Sequence, residues 1–209
     1  YSSAASDVYK RQQEPPAPGA DFRVVIVGAG NINFGSDEGP WNHSFRLEHK
    51  LGPRLKVVAL IDPDAERARR VLKTKCQSFV LSAYKDTVVY PTFKDYMASV
   101  CAETYPHAVW VGSPPAFRGG TEPGRNLEQL LTAGLPNVPL FIEKPVSTGA
   151  VDQTFEVAKM LEQNGSLVSV GYMLRYLKVV QKMKQIIAEN DLHVMAVNAR
   201  YIMAVSYTH

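Results

Sequence analysis

A run of apolar, mostly β-branched residues leads directly into a glycine turn near the start of the chain. Residues Phe22–Val27 have the sequence FRVVIV, and Gly28-Ala29-Gly30 follow without a break. A strand that is apolar at nearly every position is buried on both faces, which is typical of a parallel sheet covered by helices. This combination of strand and glycine turn therefore favours an α/β fold.

Short apolar runs and helical stretches alternate along the rest of the chain. The patterns predict further strands at residues 56–61, 77–81, 108–111, 139–142, 167–170 and 192–204. They predict helices at residues 44–51, 93–100, 121–133 and 151–161, and Thr121 is the expected N-cap of the third. Two more helices are predicted, one that begins at Pro63 and one around residues 180–187. Strands that alternate with helices form βαβ units with right-handed crossovers. The predicted fold is α/β, with a doubly wound parallel sheet of the Rossmann type.

Composition and charge exclude several classes of protein. The net charge is +3 and the basic residues are spread along the chain, so we expect no nucleic-acid partner. No apolar run approaches the roughly 20 residues that a membrane span needs. Cys76 and Cys101 have no Cys or His ligand spacing around them, which predicts no metal site. Two scattered thiols without a secretion signal favour a cytoplasmic location.

The glycine turn has the pattern of a dinucleotide-binding loop. Gly28 can adopt the positive φ of a tight turn, and Gly30 lets a pyrophosphate approach the backbone. The phosphates would lie against the free N–H groups at Asn31 and Ile32, where a helix begins. Asn33 occupies the position of the third glycine, and we expect its side chain to donate a hydrogen bond to phosphate instead. A glycine turn that ends a strand and binds nothing is the alternative.

Asp62 ends the second predicted strand, where a carboxylate can accept hydrogen bonds from an adenosine ribose. Such a carboxylate favours NAD, because it repels the 2′-phosphate of NADP. It stands 32 positions after Gly30 (62 − 30), against about 20 in the usual pattern, so residues 34–45 are interpreted as an insertion. Arg67 and Arg69 lie nearby and weaken the preference, which leaves NADP possible. The alternative is that Asp62 caps the next helix.

The tripeptide Glu143-Lys144-Pro145 follows the strand predicted at residues 139–142, at the edge where open α/β sheets bind ligands. A Glu–Lys pair taken alone is more often a solvated ion pair. The segments GAGNIN, VALIDPDAERA, WVGSPPAFRGG, FIEKPVST and GYMLRY nevertheless occur in this order. Together they resemble the Gfo/Idh/MocA family of nicotinamide-dependent oxidoreductases, over about residues 22–200.

The resemblance implies bound NAD or NADP and hydride transfer to or from a sugar or polyol. It implies that Lys144 contacts both the nicotinamide and the substrate and takes part in proton transfer. It also implies that Glu143 belongs to the cofactor-binding site and holds Lys144 in place. Further positions match the family's cofactor groove (Ser113, Pro114 and Pro115) and its substrate cleft (Tyr172 and Arg175). Ordinary surface packing is the alternative for the two residues of the cleft.

Some positions depart from the family pattern. Arg118 stands where many members carry histidine, so no role is assigned to it. The family's remaining acid–base residues lie deep in a second domain, and the chain ends before that region. This favours a truncated fragment that has the cofactor half but an incomplete catalytic set and is inactive alone. We expect His43 to be a solvated residue of the inserted loop, and contact with a ligand is the alternative.

The resemblance also sets the expected domain organisation. The predicted parts are a disordered or non-native tail at residues 1–20, an NAD(P)-binding Rossmann domain at 21–171, and the start of a truncated substrate domain at 172–209. The full-length form is expected to be a homo-oligomer.

Two other functions remain open at this point. One is a non-catalytic, dinucleotide-binding regulator, the role that a yeast galactose-pathway repressor of the same family has. The retained Lys144 favours an enzyme, because a pure sensor does not require it. The other is a Rossmann domain for a different nucleotide, such as an S-adenosyl donor, which the EKP segment disfavours.

Overall fold

The computed structural model describes residues 16–36 and 41–200, so the predicted tail lies outside the described residues as far as position 15. Six strands form one parallel sheet in the order β3-β2-β1-β4-β5-β6. They are β1 (Phe22–Val27), β2 (Leu55–Ile61), β3 (Val88–Tyr90), β4 (Ala108–Val111), β5 (Leu140–Ile142) and β6 (Val168–Val170). The predicted α/β class with a doubly wound sheet is confirmed.

Helices cover both faces of this sheet. They are α1 (Asn31–Phe34), α2 (His43–Leu51), α3 (Ala65–Cys76), α4 (Leu81–Tyr84), α5 (Phe93–Met97), α6 (Leu127–Gly134) and α7 (Val151–Gln163). On one face, Val24 and Ile26 of β1 pack with α2, α3 and α4. On the other, Val25 and Val27 pack with α5 and α6. Alternate residues of β1 thus serve two cores, which explains why all four residues of Val24–Val27 are apolar.

The chain divides into two compact units, Tyr1–Gly171 and Tyr172–His209. The second unit contains a 3-10 turn at Met173–Tyr176 and helix α8 (Lys178–Glu189). The strand predicted at residues 192–204 is wrong as far as residue 200, because residues 191–200 form neither strand nor helix. A strand needs a neighbour to accept its backbone hydrogen bonds, and β6 is the last strand among the described residues. Residues 201–204 lie outside them.

Three other predicted elements differ from the structure. The strand predicted at 77–81 is wrong, since α3 ends at Cys76, α4 begins at Leu81, and the third strand is β3. The predicted helix at 121–133 begins six residues later, at Leu127, because Pro123-Gly124 forms a turn in which Gly124 has a φ of +85°. Helix α5 is shorter than predicted and ends at Met97 rather than residue 100.

No helix among residues 16–36 and 41–200 has both the length and the apolar character needed to cross a membrane.

A histidine links β1 to the start of β4 and gives the fold a pH dependence. The Arg23 N–H donates a hydrogen bond to His107 Nδ1 at 2.9 Å. Burial lowers the pKa of His107, and the charge of Arg23 lowers it further. The unfolded chain therefore binds this proton more readily than the folded chain. The stabilisation is fully present above about pH 6.5 and is lost as the pH falls from there towards the folded pKa.

We expect the substitution His107→Asn to weaken this acid sensitivity, because asparagine offers an acceptor oxygen in place of Nδ1 but does not titrate. The measurement is urea unfolding of both proteins at about pH 7.5 and about pH 5.5. The wild type should lose more unfolding free energy between the two than the variant. Equal losses would contradict the assignment to His107.

Candidate active site

The carboxyl ends of β1 and β4 meet where the strand order reverses. The chain runs outward from β1 through β2 to β3 and then crosses back to β4. Open α/β sheets bind ligands at this switch point. The glycine turn follows β1, Asp62 follows β2, residues 112–115 follow β4, and Glu143 follows β5. The predicted site segments therefore share one edge of the sheet.

The two glycines of the turn have different roles. Gly28 has a φ of +98°, and a Cβ there would lie 3.0 Å from the Ser113 nitrogen and 3.1 Å from the Gly112 carbonyl carbon. A side chain at Gly28 would thus be both strained and crowded. A Cβ at Gly30 would meet no other residue's heavy atom within 4 Å. Gly28 lets the turn pack against β4, whereas Gly30 leaves the surface open to a ligand.

Free backbone donors lie beside this open surface. Within residues 16–36 and 41–200, the N–H groups of Gly30, Asn31 and Ile32 have no acceptor. They are the last amides before the hydrogen bonds of the single-turn helix α1 begin, at Asn33. Unsatisfied amides at the switch point suit a pyrophosphate. The local structure thus fits the cofactor that the sequence predicts for Asn31 and Ile32.

The expectation for Asn33 is wrong. Its side chain is fully buried, and Nδ2 donates hydrogen bonds to the Val27 carbonyl at 3.1 Å and the Gly28 carbonyl at 2.7 Å. Both amide hydrogens are therefore used inside the protein and do not reach a phosphate. A Cβ on Gly112 would lie 2.3 Å from Asn33 Oδ1. Asn33 thus fills the space between the glycine turn and the end of β4.

Asp62 is 3% exposed and braces the glycine turn. Its Oδ2 accepts from the Ala29 N–H at 2.6 Å, and its Oδ1 accepts from the Asp64 N–H at 2.8 Å. The Arg67 guanidinium contacts the two oxygens at 3.0 and 3.3 Å. The N-cap of α3 is Asp64, so the alternative in which Asp62 caps that helix is wrong. The exposed charged group beside this turn is Arg67.

Glu143 holds the backbone of Lys144. Its side chain is buried, and Oε2 accepts from the Lys144 N–H at 2.7 Å while Oε1 lies 2.8 Å from His43 Nε2. Burial raises the pKa of Glu143, but the hydrogen bond with His43, followed by the backbone hydrogen bond and the charge of Lys144, outweighs it and holds the pKa below its ordinary value. Glu143 is therefore an ionised carboxylate at neutral pH. Lys144 is exposed and precedes a cis bond to Pro145.

The expectation of a solvated His43 is wrong. The residue is 6% exposed and begins α2, with Asn42 as N-cap. Its ring centroid lies 5.3 Å from that of Trp110 and 5.1 Å from that of Phe141. An Asn N-cap and the apolar spacing to Leu47 are the sequence features that could have placed His43 on the buried side of a helix.

Arg118 also has a structural role that the sequence did not reveal. It is 1% exposed. Its Nε donates to the Ser113 carbonyl at 3.1 Å, and Nη1 donates to the Pro145 carbonyl at 2.6 Å and the Val146 carbonyl at 3.0 Å. This guanidinium joins the proline turn after β4 to the loop that contains Lys144.

The other predicted residues lie in the proline turn after β4 and in the second unit. Pro114 precedes a 3-10 turn at Pro115–Phe117, after β4. In the second unit, the Arg175 guanidinium carbon lies 5.9 Å from the centroid of the Tyr172 ring, and both side chains belong to that unit alone. Their substrate role stays a prediction. Within the described part of the chain, no three His, Cys, Asp or Glu side chains are grouped as metal ligands.

A family model described as "Oxidoreductase family, NAD-binding Rossmann fold" matches residues 22–172. This is the Gfo/Idh/MocA model, and it covers well over half of the 209 residues. The chain belongs to the Gfo/Idh/MocA oxidoreductase family. A second model, "Putative oxidoreductase C terminal domain", matches residues 175–209 of this Gfo/Idh/MocA protein.

Curated relatives of the Gfo/Idh/MocA chain include an uncharacterized protein of Schizosaccharomyces pombe. The two are 43% identical over 193 residues, which are 91% of this chain and 50% of the relative. An inositol 2-dehydrogenase/D-chiro-inositol 3-dehydrogenase of Shouchella clausii is 28% identical over 190 residues, 89% of this chain and 47% of that enzyme. The chain spans about half the length of the curated relatives it matches.

Solved structures share the fold of this Gfo/Idh/MocA protein. Scyllo-inositol dehydrogenase from Lactobacillus casei, with bound NAD(H) and scyllo-inositol, has a TM-score of 0.55 at 18% identity, covering 82% of this chain and 42% of that one. A super-repressor mutant of Gal80p from Saccharomyces cerevisiae has a TM-score of 0.58 at 17% identity, covering 81% and 39%. The same fold thus occurs in a dehydrogenase and in a repressor.

Proposed function

We propose that this protein is a nicotinamide-dependent oxidoreductase that moves hydride between NAD(P) and a hydroxyl or carbonyl carbon of a sugar or polyol. The observation that carries the proposal is the shared sheet edge. The open surface at Gly30 follows β1, while Lys144 follows β5, and only β4 lies between these strands. A dinucleotide bound at this edge can contact both segments.

The protein supplies orientation and charge at this site. The free amides of Gly30, Asn31 and Ile32 would hold the pyrophosphate, and the nicotinamide would supply the hydride acceptor or donor. Lys144 can donate a hydrogen bond to a substrate oxygen on which negative charge develops. Its amine can also exchange a proton with that oxygen. Glu143 fixes the backbone from which this amine extends.

A polyol substrate is favoured by the relatives. An inositol dehydrogenase aligns with 89% of this chain, and a fold neighbour contains scyllo-inositol. Inositols are therefore the first substrates to test. The cytoplasmic location, the homo-oligomeric full-length form and the substrate contacts of Tyr172 and Arg175 are parts of the same proposal.

A thermal-shift titration with NAD, NADH, NADP and NADPH tests cofactor binding, because a ligand that binds only the folded state raises the Tm. S-adenosylmethionine serves as the control ligand. We expect a shift with a nicotinamide dinucleotide and none with the control. A cooperative melt that only the control ligand moves would overturn the proposal.

A non-catalytic regulator is the second candidate, since Gal80p shares this fold. The two functions differ in one measurement. An enzyme converts NAD to NADH in the presence of an oxidisable polyol, whereas a regulator binds the dinucleotide and leaves it unchanged. Binding without hydride transfer across a panel of inositols and aldoses would favour the regulator.

The exposed Arg67 predicts how the protein discriminates between the cofactors. Both oxygens of Asp62 are already hydrogen-bonded, and the Arg67 guanidinium extends beside them with 44% of its side chain exposed. This group can bind a 2′-phosphate. We expect Arg67→Ala to weaken NADPH binding about tenfold, the loss of one charge-assisted contact, and to leave NADH binding within about twofold.

Arg69→Ala is the matched control, because Arg69 lies on the same helix and is also exposed. It should leave the ratio of the two dissociation constants unchanged. Both variants are measured by quenching of tryptophan fluorescence. The role of Arg67 is refuted if the Arg67 variant binds NADPH as tightly as the wild type.

A further inference from the structure

A buried contact joins two segments that are 100 positions apart in the sequence. His43 Nε2 at the start of α2 lies 2.8 Å from Glu143 Oε1 at the end of β5. The cofactor-binding role proposed above does not use this contact, because neither side chain is exposed at the glycine turn. Both side chains are at least nine-tenths shielded from solvent, with 7% and 10% exposed. Burial of such a pair is costly unless each polar group has a hydrogen-bond partner.

The carboxylate of Glu143 is confined on several sides. Oε1 faces His43 and Oε2 accepts from the Lys144 N–H at 2.7 Å. A Cβ on Gly171 would lie 2.9 Å from Oε1 and 3.1 Å from Cδ. The backbone at Gly171 therefore closes the third side. Rotating the carboxylate away from Lys144 would break its hydrogen bonds with both His43 and the Lys144 N–H.

His43 is itself held in one orientation. Asn42 caps α2 by accepting from the Phe45 N–H at 2.9 Å, and this fixes the helix end that carries the ring. The ring packs against Trp110 and Phe141, whose own rings are stacked on each other with centroids 3.9 Å apart. Arg46 Nη1 lies 3.5 Å from His43 Nδ1. Because arginine can only donate, Nδ1 is the acceptor and Nε2 carries the hydrogen that Glu143 accepts.

We propose that His43 is a positioning residue for Lys144. Its Nε2–H donates to Oε1 of Glu143, which keeps Oε2 on the Lys144 N–H and fixes the backbone from which the amine extends. The catalytic part of this inference rests on the proposed function, whereas the mechanical link between α2 and the Lys144 loop does not. A histidine at the start of α2 thereby fixes the position of a lysine in the loop after β5.

Amide hydrogen exchange at Lys144 tests the link without cofactor or substrate. We expect His43→Leu to speed exchange of the Lys144 amide by about tenfold or more, because the carboxylate that accepts from it loses its second anchor. His43→Gln, which can place an N–H near Oε1, should restore most of the protection. His49→Leu, at an exposed position on the same helix, should have no effect at Lys144.

Unchanged exchange at Lys144 in a folded His43→Leu protein would overturn the proposal. Equal exchange rates at Lys144 in the Leu and Gln variants would overturn it as well. If the Leu variant does not fold, His43→Asn takes its place, since its shorter amide leaves the Nε2 position empty. A faster rate in the Asn variant, but not in the Gln variant, supports the proposal. Equal rates overturn it.

Kinetics then separate this inference from the proposed function. If wild-type protein transfers hydride, His43→Leu should lower kcat by about tenfold to about a hundredfold, as a misplaced catalytic group does. The KM for the dinucleotide should stay within about twofold, because His43 does not touch the glycine turn. A full-length wild type that transfers no hydride refutes the proposed function, while the exchange data still decide the link.

Discussion

Replacing Lys144 with alanine is expected to abolish most hydride transfer while leaving the fold and the cofactor site intact. Its side chain is exposed and only its backbone N–H is tied to Glu143, so truncation removes the amine without disturbing the core. Loss of a group that transfers a proton or stabilises charge costs about 10²–10⁴-fold in rate. The measurement is kcat for reduction of NAD by the best polyol.

The matched control is Lys159→Ala, an exposed lysine on α7. It should retain wild-type kcat. The thermal shift with NADH should be the same in both variants and the wild type, because the amides at the glycine turn are unchanged. A Lys144→Ala protein with undiminished kcat would refute the catalytic assignment. A lost thermal shift would instead make Lys144 a cofactor anchor.

Replacing Arg118 with leucine is expected to destabilise the protein strongly. Its guanidinium donates to three carbonyls, those of Ser113, Pro145 and Val146, and leucine would leave them without these donors. Hydrogen bonds that involve a charged group contribute about 1.5–3 kcal/mol each. We therefore expect a loss of about 3 kcal/mol or more in the free energy of unfolding, measured by urea denaturation.

Arg70→Leu provides the comparison, since Arg70 is exposed on α3. Surface replacements of this kind change stability by about 0.5 kcal/mol or less. Similar values for the two variants would show that the Arg118 contacts add little. The Arg118 variant should also lose protection of the loop around Pro145, since the guanidinium joins that loop to the proline turn.

The sequence predicted the sheet well where a strand is long and apolar. In β1, Val24–Val27 serve two cores, so burial on both faces makes all four residues apolar. The third strand was predicted at residues 77–81 instead of Val88–Tyr90. Because β3 has only three residues, its sequence is no more strand-like than the short apolar run around Phe79. In the structure Phe79 is fully exposed in a turn between α3 and α4. Runs this short do not distinguish a strand from a turn.

The site also has features that could be predicted from the sequence and contacts that could not. The placement of Gly28, Gly30 and Asp62 at one edge of the sheet could be predicted, because it depends only on where their own strands end. The contacts of His43 and Arg118 could not, because they depend on partners 100 and 27 positions away. The Asn42 N-cap and the spacing to Leu47 can indicate that His43 is buried, but they do not indicate its hydrogen-bond partner. Only the folded chain brings the ring to its carboxylate.

The packing of Asn33 against Gly112 makes these two positions evolutionarily interdependent. With asparagine at 33, any side chain at 112 collides with its amide, whose Oδ1 would lie 2.3 Å from the new Cβ. Conversely, a mutation that restores the third glycine at 33 removes two hydrogen bonds from the turn and opens a void beside β4. Homologues should therefore show compensatory change, with glycine retained at 112 wherever position 33 carries a side chain as large as asparagine.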